Sequence, residues 1–190
     1  MKRDIILSGV GGQGILSIAA VIGRAALEDG LHIKQAEVHG MSQRGGSVST
    51  QVHWGEKVYS PVIGPGAADI VVAFEKMEAV RYAEFLKPEG VAVINDYEIP
   101  SSTVAAGLAE YPQGCLEAMK SHFRCLTLNA GTIALELGNA KCMNVVLFGA
   151  MTRALGMDGI DWEAVIRRTV PAASLELNLR AYRAGREAVG

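Results

Sequence analysis

Asp4-Ile5-Ile6-Leu7-Ser8-Gly9-Val10-Gly11-Gly12-Gln13-Gly14-Ile15 decides how the rest of the chain is read. Within 4–8 the apolar residues Ile5, Ile6 and Leu7 follow one another with no polar alternation, which predicts a buried strand. Ile15 to Glu28 predicts a helix, stopped by Asp29-Gly30. Between them Gly9, Gly11 and Gly14 form Gly-x-Gly-x-x-Gly in the strand-to-helix context that a phosphate-binding turn requires. Glycine lets the backbone turn sharply and lets a ligand approach the amides. The start of a helix adds free N–H donors and partial positive charge, so an anionic group would be stabilised there.

Working outward, Leu31 to Glu37 predicts a second strand and 38–46 a polar, glycine-containing loop. Residues 47–54 alternate, as in a half-buried strand. Gly55-Glu56-Lys57 then predicts a turn into Val58–Ile63, making an antiparallel hairpin of 47–54 and 58–63. Asp69–Phe74 is a continuous apolar run. It is followed by a predicted helix over 75–86 with Met77, Val80, Ala83 and Leu86 on one face, and by punctuation at Pro88-Glu89-Gly90. Strands at 91–95 and 124–128 flank an irregular stretch, 96–114, and a helix over 115–123. Beyond Asn129 the pattern is helical at 130–138, 143–155, 161–169 and 172–188, with Pro171 dividing the last two. The alternation predicts one domain, 1–190, of α/β class. Its layers are α/β/α, around a mostly parallel, Rossmann-like sheet with an inserted antiparallel hairpin and a helical C-terminal third.

Composition excludes several functions. A net charge of −2 and a pI of about 6.1 give no basic field for nucleic acid or a membrane surface. Aromatic residues at 6% are too few for base-stacking platforms. The apolar stretch from Ile15 to Leu27 is too short to span a bilayer. The glycines at 9–14 interrupt what would be a signal-peptide core, so a cytoplasmic location is expected. Cys115, Cys125 and Cys142 include no Cys-x-x-Cys pair, which leaves the chain without the close-set thiolates of an iron–sulfur or zinc site.

Two loops carry the candidate chemistry. Glu37 follows the glycine loop by about twenty residues, the spacing of a ribose-binding acid in a dinucleotide site. The hairpin beyond it, and the lack of a hydride-transfer site, depart from a dehydrogenase. An independent NAD- or FAD-binding protein and a purely structural interaction module both stay open as alternatives. The second loop packs Glu37, His39, Ser42, Gln43 and Arg44 ahead of Gly45-Gly46. Arg44 could offer a planar fork to phosphate or carboxylate. Glu37 and His39 are expected on opposite strand faces and are not assigned as a dyad; no residue is assigned as catalytic. The same loop could instead order at a subunit interface.

Gly-Val-Gly-Gly-Gln-Gly-Ile at 9–15 and Glu-Val-His-Gly-Met-Ser-Gln-Arg-Gly-Gly at 37–46, in this order, resemble the gamma domain of pyruvate/2-oxoacid:ferredoxin oxidoreductases. The resemblance continues through Val71–Glu75, Asn95-Asp96, Gly138-Asn139 and Asn144–Gly149, and covers essentially the whole chain. The tail, with Asp161-Trp162-Glu163, is most similar to the stand-alone beta subunit of the indolepyruvate branch. The resemblance implies oxidative decarboxylation of a 2-oxoacid to an acyl-CoA, with electrons passing to ferredoxin. It implies thiamine diphosphate and 4Fe-4S clusters on a large partner subunit, because this chain has neither cluster cysteines nor a Gly-Asp-Gly thiamine motif. Coenzyme A is the implied co-substrate, and the chain alone is expected to be inactive, with some self-association possible. Carried over by position, Gly11, Gly12, Gln13 and Gly14 would line an anion-accepting loop. Ser42, Gln43 and Arg44 would face the partner, CoA or substrate.

Overall fold

A single reversed strand sets the layout of the sheet. The computed structural model describes residues 2–40 and 45–190. Among the described residues, six strands form one sheet: β1 (Arg3–Val10), β2 (His32–His39), β3 (Ser47–Gly55), β4 (Ala68–Ala73), β5 (Leu86–Asn95) and β6 (Arg124–Leu128). Their order is β2-β3-β1-β4-β5-β6. β1, β4, β5 and β6 pair in parallel, while β3 runs antiparallel to both β1 and β2. β2 therefore points the same way as β1 but lies two strands away.

Helices cover both faces. They are α1 (Ile15–Glu28), α2 (Lys76–Arg81), α3 (Ser102–Ala105), α4 (Cys115–His122), α5 (Ala130–Glu136), α6 (Met143–Ala154), α7 (Trp162–Thr169) and α8 (Leu175–Glu187). On one face Ile5, Leu7, Ile70, Val72 and Val93 pack with α1 and the C-terminal helices. On the other, Ile6, Val71, Ala73, Ala92 and Ile94 pack with Ala79 of α2 and Met119 of α4. The unbroken apolar runs of β1, β4 and β5 follow from this: a strand between two helical layers has no solvent face. The expected three layers are present.

α1 has the bounds its pattern predicts. Ile15, Ile18, Ala19, Ile22, Ala25 and Ala26 are buried at helical spacing, and Gly30 takes a φ of 70° just after the end. α6 and α8 cross with backbones touching. A Cβ on Gly149 would lie 2.1 Å from the Tyr182 carbonyl oxygen, and one on Gly185 would lie 1.8 Å from that of Val146. Phe148 packs edge-to-face on Trp162 and tilted against Tyr182 beside this crossing, and Trp54 of β3 meets Trp162, which ties the helical third to the sheet.

Three expectations need correction. The hairpin is β2–β3, not 47–54 with 58–63: both edges of β3 are taken by β1 and β2, so no hydrogen-bonding edge is left for 58–63. Pro61 also removes a donor from that segment. It packs over β3 instead, with Ile63 N–H donating to Gln51 Oε1 at 2.6 Å and Ile63 buried. The helix predicted over 75–86 ends at Arg81. A short 3-10 turn at Ala83–Phe85 follows, and Leu86 is drawn into the sheet opposite Ala68. Its buried face carries Glu78 and Ala79, whereas Val80 is exposed. Pro88-Glu89-Gly90 does not separate elements but bulges within β5, between the pairs Ala68–Leu86 and Ile70–Val91. Among the described residues, no helix is long and apolar enough to cross a membrane.

Candidate anion-binding cleft

The carboxyl ends of β1, β4 and β5 and the start of α1 meet at one end of the sheet, where open α/β folds gather ligands. Two main-chain turns are joined there. Gly11 N–H donates to the Gly46 carbonyl oxygen at 2.9 Å, directly beyond the last β1–β3 pair, Val10 with Ser47. The glycine loop and the end of the second loop are thus one surface. A cleft of about 520 Å³ opens on it, lined by Val10 to Ser17 together with Glu37, His39 and Val48.

Gly11, Gly12, Gln13 and Gly14 all line this cleft. Gly12 and Gly14 have φ of 102° and 80°, which L side chains rarely adopt. Gly14 caps α1, and no side chain caps the helix there. Ser17 N–H donates back to the Gly14 carbonyl oxygen at 3.2 Å, and the first turn presents the positive end of the dipole to the cleft. A Cβ on Gly14 would meet Asn144 Nδ2 at 2.6 Å. Asn144, nearly buried, donates from that nitrogen to the Gly14 carbonyl oxygen at 3.2 Å.

The Gln13 side chain turns inward. Its Oε1 accepts from Val10 N–H at 2.7 Å and its Nε2 donates to the Phe74 carbonyl oxygen at 2.9 Å. Asn95 Nδ2 donates to the same carbonyl at 3.1 Å, and Asn95 Oδ1 accepts from Ala130 N–H. Gln13 therefore shapes the loop with its side chain and with its own N–H, which donates to the Val10 carbonyl oxygen at 3.2 Å.

Ser42, Gln43 and Arg44 lie outside the described residues. Glu37 and His39 require a correction. Two positions apart on β2, they share a face, because side chains alternate with a period of two. Both line the cleft, Glu37 opposite Thr50 and His39 opposite Val48. With β3 between β1 and β2, Glu37 stands two strand spacings, about 10 Å, from β1. A ribose-binding acid in a dinucleotide fold sits on the strand beside the glycine loop, so this placement disfavours that reading.

Sequence reading missed the buried polar group beneath the cleft. Glu75 and Glu78 are buried. Glu75 caps α2 by accepting from Glu78 N–H at 3.1 Å, and it also accepts from the Tyr111 hydroxyl. Burial, and then Glu75 itself, push the Tyr111 phenol above its ordinary range. Glu78 accepts from Ser47 Oγ at 2.5 Å and from Arg81 Nε at 3.1 Å. Two acidic residues at 75 and 78, straight after a buried strand, were the available signal. Desolvation raises the thiol pKa of Cys115, Cys125 and Cys142. Among the described residues, no three His, Cys, Asp or Glu side chains come together as a metal-holding group. The cysteines sit on three separate elements and do not fit an iron–sulfur cluster within this chain.

Residues 4–188 match the family model described as pyruvate ferredoxin/flavodoxin oxidoreductase. The indolepyruvate oxidoreductase subunit IorB of Pyrococcus horikoshii is 40% identical, over 97% of this chain and 94% of that protein. The 2-oxoglutarate synthase subunit KorC of Methanothermobacter marburgensis is 30% identical, over 100% of this chain and 97% of its own. Among solved structures, the keto/oxoacid ferredoxin oxidoreductase gamma subunit of Geobacter sulfurreducens superimposes with a TM-score of 0.72 at 23% identity, covering 98% of each chain.

Proposed function

The chain belongs to the pyruvate ferredoxin/flavodoxin oxidoreductase family, and on that premise we propose that it is the small, non-redox subunit of a cytoplasmic 2-oxoacid:ferredoxin oxidoreductase acting on indolepyruvate or a related aryl pyruvate. The reaction converts the 2-oxoacid, CoA and two oxidised ferredoxins to acyl-CoA, carbon dioxide, two reduced ferredoxins and a proton. Thiamine diphosphate and 4Fe-4S clusters, which supply the decarboxylation and electron-transfer chemistry, belong on a large partner subunit in this reading. This chain contributes the CoA side of the site.

The observation that carries the reading is the joint built by Gly11 and Gly46. It makes one concave surface of a glycine loop, a helix start and the end of the second loop. Gly11, Gly12, Gln13 and Gly14 shape this surface: the amides of Gly11 and Gln13 hold it together by donating to the Gly46 and Val10 carbonyl oxygens, and Gly12, Gly14 and the helix start offer donors to an anionic group such as a CoA phosphate. Ser42, Gln43 and Arg44 face the partner, CoA or substrate. The apolar side of Leu16, about half exposed on the same cleft, suits the non-ionic part of such a ligand.

The test is reconstitution. The purified chain should give no turnover with indolepyruvate, CoA and ferredoxin, and adding the large thiamine- and cluster-bearing subunit should restore it. In that complex Arg44→Ala should raise the apparent KM for CoA by about tenfold, the loss of one charge-assisted contact. Turnover by the chain unaided would sink the subunit reading. An unchanged CoA dependence in Arg44→Ala would remove the ligand role of the second loop.

A further inference from the structure

The geometry points to Glu78 as a positioning residue of the cleft: through Ser47 it holds Gly46, the end of the second loop, at a fixed distance from the glycine loop. The inference rests on the CoA-side reading above, and it assigns a role to a side chain that does not touch the cleft. Glu78 is 1% exposed. A carboxylate placed so deeply is costly unless it is fully partnered, so its contacts define one position for it. Those contacts converge on the junction of the two loops. Oε2 accepts from Ser47 Oγ, and Ser47 is both the first residue of β3 and the neighbour of Gly46. Oε1 accepts from Arg81, about half exposed, which supplies the countercharge. The main-chain oxygen of Glu78 accepts from Ser8 Oγ at 3.4 Å, two residues before Val10 on β1.

One helical residue thus grips the last part of β1 and the first residue of β3. Directly above, Val10 pairs with Ser47 and Gly11 donates to Gly46. Glu75 anchors Glu78 in turn, accepting its N–H as the helix cap. Removing the Ser47 contact leaves the sheet pairing of β1 with β3 in place below but frees its end. The expected consequence is a looser Gly11–Gly46 hydrogen bond and a cleft rim of variable width. Binding of a ligand that spans both loops weakens, while chemistry on the partner subunit proceeds at its usual rate once the ligand is bound.

Three variants decide it, Ser47→Ala, Glu78→Ala and Glu78→Gln, each read in two ways. Amide hydrogen exchange is measured on the full chain at Gly11, with Val72 in the core as the reference for global opening. Steady-state kinetics are measured on the complete complex. Ser47→Ala and Glu78→Ala should speed Gly11 exchange by about tenfold relative to Val72. They should raise the apparent KM for CoA by about tenfold with kcat within about twofold, as loss of binding without loss of chemistry requires. Glu78→Gln still offers an oxygen to Ser47 and should rescue both. If Glu78→Ala fails to fold, Ser47→Ala deletes the same bond and decides alone. The proposal is overturned if Gly11 exchange moves only in step with Val72, or if Glu78→Gln is as impaired as Glu78→Ala. Faster Gly11 exchange with an altered KM for the oxoacid and none for CoA would uphold the positioning role and instead reject CoA as the occupant.

Discussion

Gly11 and Gly46 are 35 positions apart in the chain, yet the amide of one donates to the carbonyl of the other at 2.9 Å. That bond joins two turns that the sheet topology would otherwise only place near each other. It exists because β3 is inserted beside β1 and starts where β1 ends. Each expectation below concerns a group that builds this corner or the frame behind it.

Gln13 is the inner brace of the glycine loop. Gln13→Ala strips partners from Val10 N–H and from one side of the Phe74 carbonyl, and should cost about 1–3 kcal/mol of stability. Gln13→Glu should be worse, because it sets a carboxylate oxygen against that carbonyl. Urea denaturation of the two variants beside the parent checks the order. Equal stability of all three would show that the brace is not used.

Tyr111 donates to the buried Glu75 carboxylate, and its phenol is raised in the folded chain, by burial first and by Glu75 next. A group raised on folding stabilises fully below its unfolded value, near 10 for tyrosine. That contribution is lost as pH climbs from there toward the folded value. Above pH 10 the parent should lose stability faster than Tyr111→Phe. At neutral pH the variant should already be about 1–3 kcal/mol weaker, because Glu75 loses a donor. The difference in tyrosinate absorbance between the parent and Tyr111→Phe should show Tyr111 ionising only on unfolding. Ionisation of Tyr111 in the folded chain near pH 10 would contradict this.

The α6–α8 crossing has no room for a methyl group. Gly185→Ala would drive a Cβ to within 1.8 Å of the Val146 carbonyl oxygen, and the helices must separate. A loss of about 3 kcal/mol or more is expected, at the upper end of overpacking effects. Gly131→Ala in α5 meets only Asn129 Oδ1 at 3.5 Å and should be neutral or stabilise by up to about 1 kcal/mol, since alanine favours helix. Thermal melts of the two variants separate packing from propensity.

The three thiols are raised by burial and sit where reagents reach them poorly. At pH 7.5 Cys115 and Cys142, both buried, should react with a thiol reagent only on unfolding, and Cys125 slowly. Rapid alkylation of Cys142 in the folded chain would mean that the α6 end opens readily.

Much of the fold was legible because it is written in local pattern. The short apolar runs Ile5–Leu7 and Ile70–Phe74, each preceded by an aspartate and rich in branched residues, read as strands covered on both faces. The spacing of Ile15, Ile18 and Ile22, closed by Asp29-Gly30, fixed α1 to the residue. Leu86 was misread because apolar spacing along a short stretch cannot tell the last turn of a helix from the first residue of a strand. The hairpin was assigned to the wrong partners because alternation reveals a strand but not its neighbour.

The sequence alone determined the α/β class, the strand–glycine–helix turn and the two loops, since each depends on residues within a few positions of one another. Only the tertiary structure decided that β3 separates β2 from β1, that Glu37 and His39 look into one cleft, and that Gln13 and Glu78 serve the backbone from behind. Those are facts of strand pairing and burial between distant segments. They follow from which edge is free to hydrogen-bond and which carboxylate must find a partner, and no local stretch of residues contains either.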